Sequence, residues 1–159
     1  VNGENAAGGF GITEDIYLET IGAGADVVTD PTAVDLRQSI LSETRGLGAD
    51  VVICAIGIPA LATQAVSLAA KGGRVSLFAG FSKGEMGNLD VNAIHYEELR
   101  LTGAFGLSRK DYEDSLNMIA DGRIDLRQMV THRYGLSDVD AAFSMAESGA
   151  AMKVAIADA

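Results

Sequence analysis

The chain is poor in the residues that bind metals or cross-link polypeptides: it has one cysteine, two histidines and no tryptophan. A single cysteine excludes an internal disulfide, and the apolar run around Cys54 indicates a buried, unreactive thiol. One cysteine and two histidines give little support for a zinc site built by this chain alone. We therefore predict no metal ligand and no catalytic residue here, with a structural role for His95 and no chemistry at His132.

Positive charge and long apolar runs are scarce as well. There are 12 lysines and arginines against 22 aspartates and glutamates, which leaves a formal charge of −10 at pH 7. Such a surface is a poor partner for nucleic acid or an anionic membrane, because both present phosphates. No apolar run could cross a bilayer, and no signal peptide is recognisable. We expect a soluble, cytoplasmic protein that binds neither nucleic acid nor membrane.

Apolar residues make up 48% of the chain, and two segments arrange them in the same way. Residues 48–57 and 72–80 each run from a glycine through a short apolar stretch to a small residue. The stretch between them is long enough for a crossover helix, and such apolar runs are typical of parallel strands buried on both faces. In open α/β sheets, ligands lie against the carboxyl ends of the strands, where a small residue leaves room. The pattern indicates a nucleotide-binding sheet.

Strand and helix signals alternate after about residue 25. We predict strands at 26–29, 50–56, 74–79, 100–105 and 152–156. We predict helices at 32–45, from Pro59 to Gly72, after a capping box at Ser108–Asp111, and from residue 137 to Gly149, the last with Val139, Ala142, Phe143 and Ala146 inward. Residues 1–23 form a poorly matched leader, helical at most over 12–21, whose glycines lack the G-x-G-x-x-G spacing. The predicted fold class is α/β: a Rossmann-like parallel sheet with flanking helices that lacks its first strands.

Several short motifs follow one another in a recognisable order along the chain. They are Gly24-Ala-Asp-Val-Val28, Gly46-Leu-Gly-Ala-Asp-Val-Val52, Gly72-Gly-Arg-Val75, residues 92–99 with Thr102-Gly103, and residues 119–124, 130–133, 140–143 and 152–154. In this order they resemble the medium-chain dehydrogenase/reductase family, and within it the zinc-dependent alcohol and polyol (sorbitol-like) dehydrogenases. The resemblance covers the C-terminal half of such enzymes. It implies a partial dinucleotide-binding domain at 24–127 and, at 128–159, a return segment that packs on the catalytic domain.

The resemblance also implies where a coenzyme, NAD or NADP, would lie. In this family it crosses the carboxyl ends of the strands, which puts Ala55, Ile56 and Gly57 beside the riboses. The same motifs put Ala79, Gly80, Phe81, Ala104 and Phe105 near the nicotinamide. Lys153 stands where the family has a cation that reaches the pyrophosphate. The alternative for the glycines is plain turn geometry, and for Lys153 an exposed surface lysine.

The chain also departs from the family. The resemblance places the zinc ligands, the proton relay and most of the substrate pocket in a catalytic domain that is absent here. The first coenzyme strand with its G-x-G-x-x-G is missing, together with the residue that selects NAD or NADP. In the 3-2-1-4-5-6 strand order the two missing strands are central, so strand 3 should be separated from strands 4 to 6. We expect no dehydrogenase activity from these residues alone, even with added zinc.

The leading hypothesis is therefore the coenzyme-binding portion of an NAD(P)-dependent, zinc-type alcohol or polyol dehydrogenase. Its substrate would be a small alcohol or polyol, and the resemblance implies a homo-oligomer that pairs through residues 89–96. One alternative is a non-catalytic nucleotide-binding or interaction module with the same fold. Another, a Rossmann-like methyltransferase, is disfavoured by residues 128–156, which have no counterpart expected in that class.

Overall fold

A three-stranded parallel sheet organises the first part of the chain in the computed structural model, which describes residues 21–22 and 24–157. Its strands are β1 (Ala49–Cys54), β2 (Ala69–Leu77) and β3 (Arg100–Gly103), in the spatial order β1-β2-β3. Three helices accompany them along the chain: α1 (Leu36–Glu43), α2 (Pro59–Leu68) and α3 (Val91–Tyr96). The predicted α/β fold with parallel strands and flanking helices is thus confirmed.

The core of this sheet lies beneath α2. Ala62 and Ala65 of α2 pack with Cys54 of β1 and Val75 of β2, and Val75 is 0% exposed. Small alanine side chains allow the helix to approach the sheet closely, and the fully buried valine fills the space between them. Pro59 begins the helix, where its missing N–H is not needed. Cys54 is buried, as the sequence predicted.

The strand predicted at 26–29 does not form, and that prediction is wrong. These residues have no ladder partner among the described residues, and Val27 is exposed. A strand requires a hydrogen-bonded neighbour, and within residues 24–157 the one strand that pairs with β1 is β2. The expected separation of strand 3 from strands 4 to 6 stays a prediction. The predicted leader at 1–23 lies outside the described residues except for Ile21 and Gly22.

Two helix boundaries also differ from the predictions. Helix α1 begins at Leu36 rather than near residue 32, because the Asp35 carboxylate accepts a hydrogen bond from the Gln38 N–H at 3.0 Å and caps the helix there. Helix α2 ends at Leu68 rather than at Gly72, since Ala69 already pairs with Ala49 of β1. Strand β2 is correspondingly longer than predicted at its amino end.

The second compact unit runs from Gly106 to the end of the described chain. It contains α4 (Arg109–Ala120), β4 (His132–Tyr134), α5 (Val139–Glu147) and β5 (Val154–Ile156), and β4 and β5 pair in parallel. The predicted final strand is confirmed in shorter form, whereas β4 was not predicted. Of the four residues of α5 predicted to point inward, only Ala142 is buried; Val139, Phe143 and Ala146 are exposed, Phe143 by 61%, so the expectation is wrong for these three.

Local hydrogen bonds fix two turns of this unit. The predicted capping box is present: the Ser108 N–H donates to the Asp111 carboxylate, and the Asp111 N–H donates to the Ser108 hydroxyl oxygen. The Ser108 hydroxyl also donates to this carboxylate, and the hydrogen bonds that the carboxylate accepts from Ser108 lower the pKa of Asp111. Hydrogen bonds from the Arg127 guanidinium lower the pKa of Asp125 from 3.8 to about 2. Because the pKa of Asp125 is depressed in the folded state, the ion pair stabilises this turn fully at pH values above the ordinary carboxyl range. That stabilisation is lost as the pH falls through about 2.

Candidate functional site

The loops that follow the three parallel strands meet at the carboxyl edge of the sheet. The N–H groups of Phe78 and Ala79 donate to the Cys54 carbonyl at 3.0 and 3.2 Å, and the Ala104 N–H donates to the Leu77 carbonyl at 3.3 Å. These bonds continue the strand pairing for one or two residues past the regular ladder. The beginnings of the second and third loops are therefore fixed by backbone hydrogen bonds to the neighbouring strand.

Gly57 occupies the tightest position at this edge. A Cβ added there would lie 2.1 Å from the carbonyl oxygen of Gly80, in the loop after β2. The Cβ would be attached directly to the backbone and the carbonyl oxygen is part of it, so neither atom can rotate away. Only glycine at position 57 therefore allows the first two loops to come this close. The Cys54 thiol also donates to the Ile56 carbonyl at 3.5 Å and helps to hold the turn that presents Gly57.

An open cavity of about 450 Å³ lies between the second and third loops. Its lining is mainly apolar and consists of Leu77, Phe78, Ala79, Gly80, Phe81, Gly103, Ala104 and Phe105. Five of the nine residues predicted to bind coenzyme line it, those at 79–81 and 104–105. Three more of the predicted residues, Ala55, Ile56 and Gly57, form the first loop, directly after β1. Of these, Gly57 contacts Gly80.

Lys153, the ninth predicted residue, belongs to the second compact unit. It immediately precedes β5, its side chain is exposed, and its carbonyl accepts hydrogen bonds from the N–H groups of Thr131 and His132 at 3.1 and 3.3 Å. No ion pair or side-chain hydrogen bond engages its ammonium among the described residues. The backbone of Lys153 is thus fixed against β4 while its charge remains free.

Three contacts that the sequence analysis missed shape the loop after β2. The Glu85 carboxylate accepts from the Ser82 N–H at 3.0 Å, and the Thr63 hydroxyl of α2 donates to the Asn88 carbonyl. Gly87 lies so close to the Phe81 ring that a Cβ there would be 2.8 Å from Cε2. The spacing Ser-x-x-Glu at 82–85 resembles a capping box and could have revealed the first contact. Together these contacts fix the position of Phe81 at the cavity.

The described residues do not fit a zinc ion. No group of three or more histidine, cysteine, aspartate or glutamate side chains converges anywhere in the part of the chain that the structure describes. His95 is exposed on α3 and its ring meets that of Tyr96 edge-on at 4.8 Å, while His132 Nδ1 lies 3.0 Å from the Thr131 hydroxyl. Neither histidine therefore belongs to such a group within the part of the chain that the structure describes.

The described helices are all too short or too polar to span a lipid bilayer. The longest of them, α4, has 12 residues and exposes charged side chains along its length.

Comparisons with known proteins agree with this architecture. The chain is 30% identical to a sorbitol dehydrogenase of Halalkalibacterium halodurans, over 82% of this chain and 38% of that protein. It is also 30% identical to a D-arabitol-phosphate dehydrogenase of Enterococcus avium, over 92% of this chain and 42% of that protein. Among solved structures, a putative zinc-binding dehydrogenase of Sinorhizobium meliloti, bound to NADP, superposes with a TM-score of 0.74 at 25% identity.

That superposition covers 83% of this chain and 39% of the Sinorhizobium protein, so the chain spans about two fifths of the length of the relatives it matches. A sequence model described as zinc-binding dehydrogenase matches residues 17–121, which include the whole three-stranded sheet and α4. The match extends over more than half of the chain, which therefore belongs to the zinc-binding dehydrogenase family.

Proposed function

We propose that this chain is the coenzyme-binding portion of an NAD(P)-dependent, zinc-type alcohol or polyol dehydrogenase. The observation that carries the proposal is the carboxyl edge of the sheet, where three parallel strands end and where the segments that follow β2 and β3 line an open, mainly apolar cavity. Ligands of open α/β sheets bind at this edge. The names of the relatives, sorbitol and D-arabitol-phosphate dehydrogenase, support a polyol substrate class.

In this proposal each loop has a distinct task. The first loop, with Gly57, lies beside the riboses, and its close approach to Gly80 fixes the distance between the first two loops. Ala79, Gly80 and Phe81 with Ala104 and Phe105 offer backbone groups and apolar surface to the nicotinamide. The bound coenzyme supplies the hydride acceptor, and these residues orient it and exclude water. Lys153 neutralises the pyrophosphate.

A non-catalytic nucleotide-binding or interaction module is the second candidate. It is favoured by one feature of the sequence: no G-x-G-x-x-G is present to cradle a pyrophosphate. Intact mass of the native protein and the gene sequence upstream separate the two candidates. We expect an upstream segment with cysteine, histidine and glutamate zinc ligands and the glycine-rich motif, together with tight binding of NADH or NADPH by fluorescence. A native protein without them is the module.

Replacing Lys153 tests its proposed contact with the coenzyme. In the native protein, Lys153→Ala should weaken coenzyme binding by about tenfold to a hundredfold, the usual effect of losing a charge-assisted contact. Lys153→Arg should retain most of the affinity, and Lys153→Glu should bind less than the alanine variant because it opposes like charges. Fluorescence titration at fixed salt measures all four proteins. Equal affinities would make Lys153 a surface lysine.

We also propose that the chain self-associates through residues 89–96. Val91 is 71% exposed and Tyr96 is similarly open, so the segment presents an apolar surface beside the edge strand β3. Charged substitution at Val91, alone and with Ile94, should shift the protein toward smaller species in light scattering. Leu47→Glu, at an exposed leucine elsewhere, is the matched control and should leave the size unchanged. Unaltered size in the Val91 and Ile94 variants would contradict this interface.

A further inference from the structure

A cluster of three cations lies at the amino end of the same sheet. Lys71, Arg74 and Arg100 line a cavity of about 500 Å³ together with Asp50, Gly72 and Gly73. Arg74 and Arg100 are paired in the β2–β3 register three residues before Leu77 and Gly103. At about 3.3 Å per residue, the cluster is roughly 10 Å along the strands from the candidate coenzyme loops.

The pairing of Arg74 with Arg100 is unfavourable by itself. Directly paired residues of neighbouring strands project from the same face about 4.8 Å apart, and like charges in such positions repel. The ion pairs of the described residues are Arg109–Glu113, Lys110–Asp114 and Arg127–Asp125, all of them elsewhere. Nor does any side-chain hydrogen bond engage the three cations within the described ranges. In a chain with 22 acidic residues, these three cations therefore have no ion-pair partner among the described residues, and Asp50 is the one acidic residue that lines their cavity.

The backbone beside the cations is held in a defined bulge. Strand β2 advances from Ala69 to Arg74 while β1 advances only from Ala49 to Val51, so residues 70–73 are displaced from the ladder. Gly72 adopts φ +74° and its N–H donates to the Glu97 carbonyl at 2.7 Å. A Cβ on Gly73 would lie 2.7 Å from the Ala70 carbonyl oxygen. The two glycines therefore fix the bulge that carries Lys71.

We propose that Lys71, Arg74 and Arg100 form a binding site for a phosphate-sized oxyanion, either free or as the phosphate group of a small molecule. The residues that line this cavity, three cations and the carboxylate of Asp50, carry a summed charge of about +2, which matches a dianion; Lys71 also borders a neighbouring cavity whose lining contains one further cation, Arg37, and one further carboxylate, Glu97. Two adjacent guanidinium groups offer the planar, paired N–H donors that phosphate oxygens accept. The site is independent of the proposed dehydrogenase function, because it lies at the opposite end of the strands.

The test is a thermal unfolding titration of the full chain with inorganic phosphate, against chloride at equal ionic strength. We expect phosphate to raise the unfolding temperature saturably and chloride not to do so. Arg74→Gln and Arg100→Gln should each weaken the apparent affinity by about tenfold or more. Arg123→Gln, at an exposed arginine without a side-chain partner among the described residues, is the control and should bind as the parent does.

The unfolding temperature without phosphate distinguishes a loss of phosphate binding from a loss of stability. Without phosphate, Arg100→Gln should unfold at the parent's temperature or above it, because the substitution removes a like-charge contact. Equal responses to phosphate and chloride, or unchanged affinity in both arginine variants, would overturn the proposal. Saturation by hexaglutamate but not by phosphate would also overturn it and would assign the surface to an acidic protein segment. Competition between NADH and phosphate would show that the two ligands share a site, contrary to the proposal.

Discussion

Alanine at position 57 is expected to destabilise the chain by about 1–3 kcal/mol, the usual effect of an extra methyl group in a closely packed place. The new Cβ would lie 2.1 Å from the Gly80 carbonyl oxygen and 3.1 Å from its carbon, so one of the two loops must move. The second loop is tied to the sheet through the Cys54 carbonyl, which accepts from Phe78 and Ala79, and the first is closed by the bond from the Ile58 N–H to the Ile56 carbonyl. Movement must therefore break backbone hydrogen bonds as well. Urea denaturation of the parent and the variant measures the difference.

The neighbouring Gly80 supplies a matched control for that experiment. A Cβ at Gly80 meets no atom within 4 Å, and its φ lies outside the left-handed region. Gly80→Ala should therefore change the free energy of unfolding by no more than about 0.5 kcal/mol. If the two alanine variants are equally stable, the loops are not in the close contact described, and Gly57 serves only as a turn residue.

Much of the fold could be predicted because its signals are local or depend on the sheet as a whole. The apolar runs that become β1 and β2, with Pro59 opening the helix between them, specify a βαβ unit in any context. The capping box at Ser108 and Asp111 requires only residues three apart. The strand at 26–29 could not be judged in this way, because strand formation depends on a neighbour that the local sequence does not reveal.

The same distinction applies to the candidate site. Small residues at the carboxyl ends of β1 and β2 could be recognised because parallel strands end at one edge. The approach of Gly57 to Gly80 and the contact of Gly87 with Phe81 join residues from separate loops, and no local spacing predicts them. The assignment of Ala55, Ile56, Gly57, Ala79, Gly80, Phe81, Ala104, Phe105 and Lys153 to the coenzyme stays a prediction.

The register of β2 against β3 could likewise not be predicted from the sequence. It decides that Arg74 lies beside Arg100, whereas a shift of one residue would put Val75 there and turn the arginine to the other face. The buried valine and the exposed arginine cluster are therefore consequences of one register. Val75 anchors it, because this side chain alone of β2 is completely inaccessible among the described residues.

Aspartate at position 75 is expected to prevent folding of the sheet. Val75 is 0% exposed and contacts the core formed by Cys54, Ala62 and Ala65, with no polar partner in that cluster. An unpaired buried carboxylate costs several kcal/mol, whereas a whole domain is stable by about 5–15 kcal/mol. Val75→Ala, which loses two methyl groups and leaves a cavity, should cost about 2–3 kcal/mol and still fold.

Circular dichroism and urea denaturation of the three proteins test this order of stability. Val34→Asp is the control, because Val34 is 51% exposed in the turn before α1 and should tolerate the charge with little change. If Val75→Asp folds as stably as Val34→Asp, residue 75 must lie on the solvent face. The register that pairs Arg74 with Arg100 would then be wrong, and the oxyanion site would lose its geometric basis. The buried position of Val75 requires that Val75→Ala folds and that Val75→Asp does not.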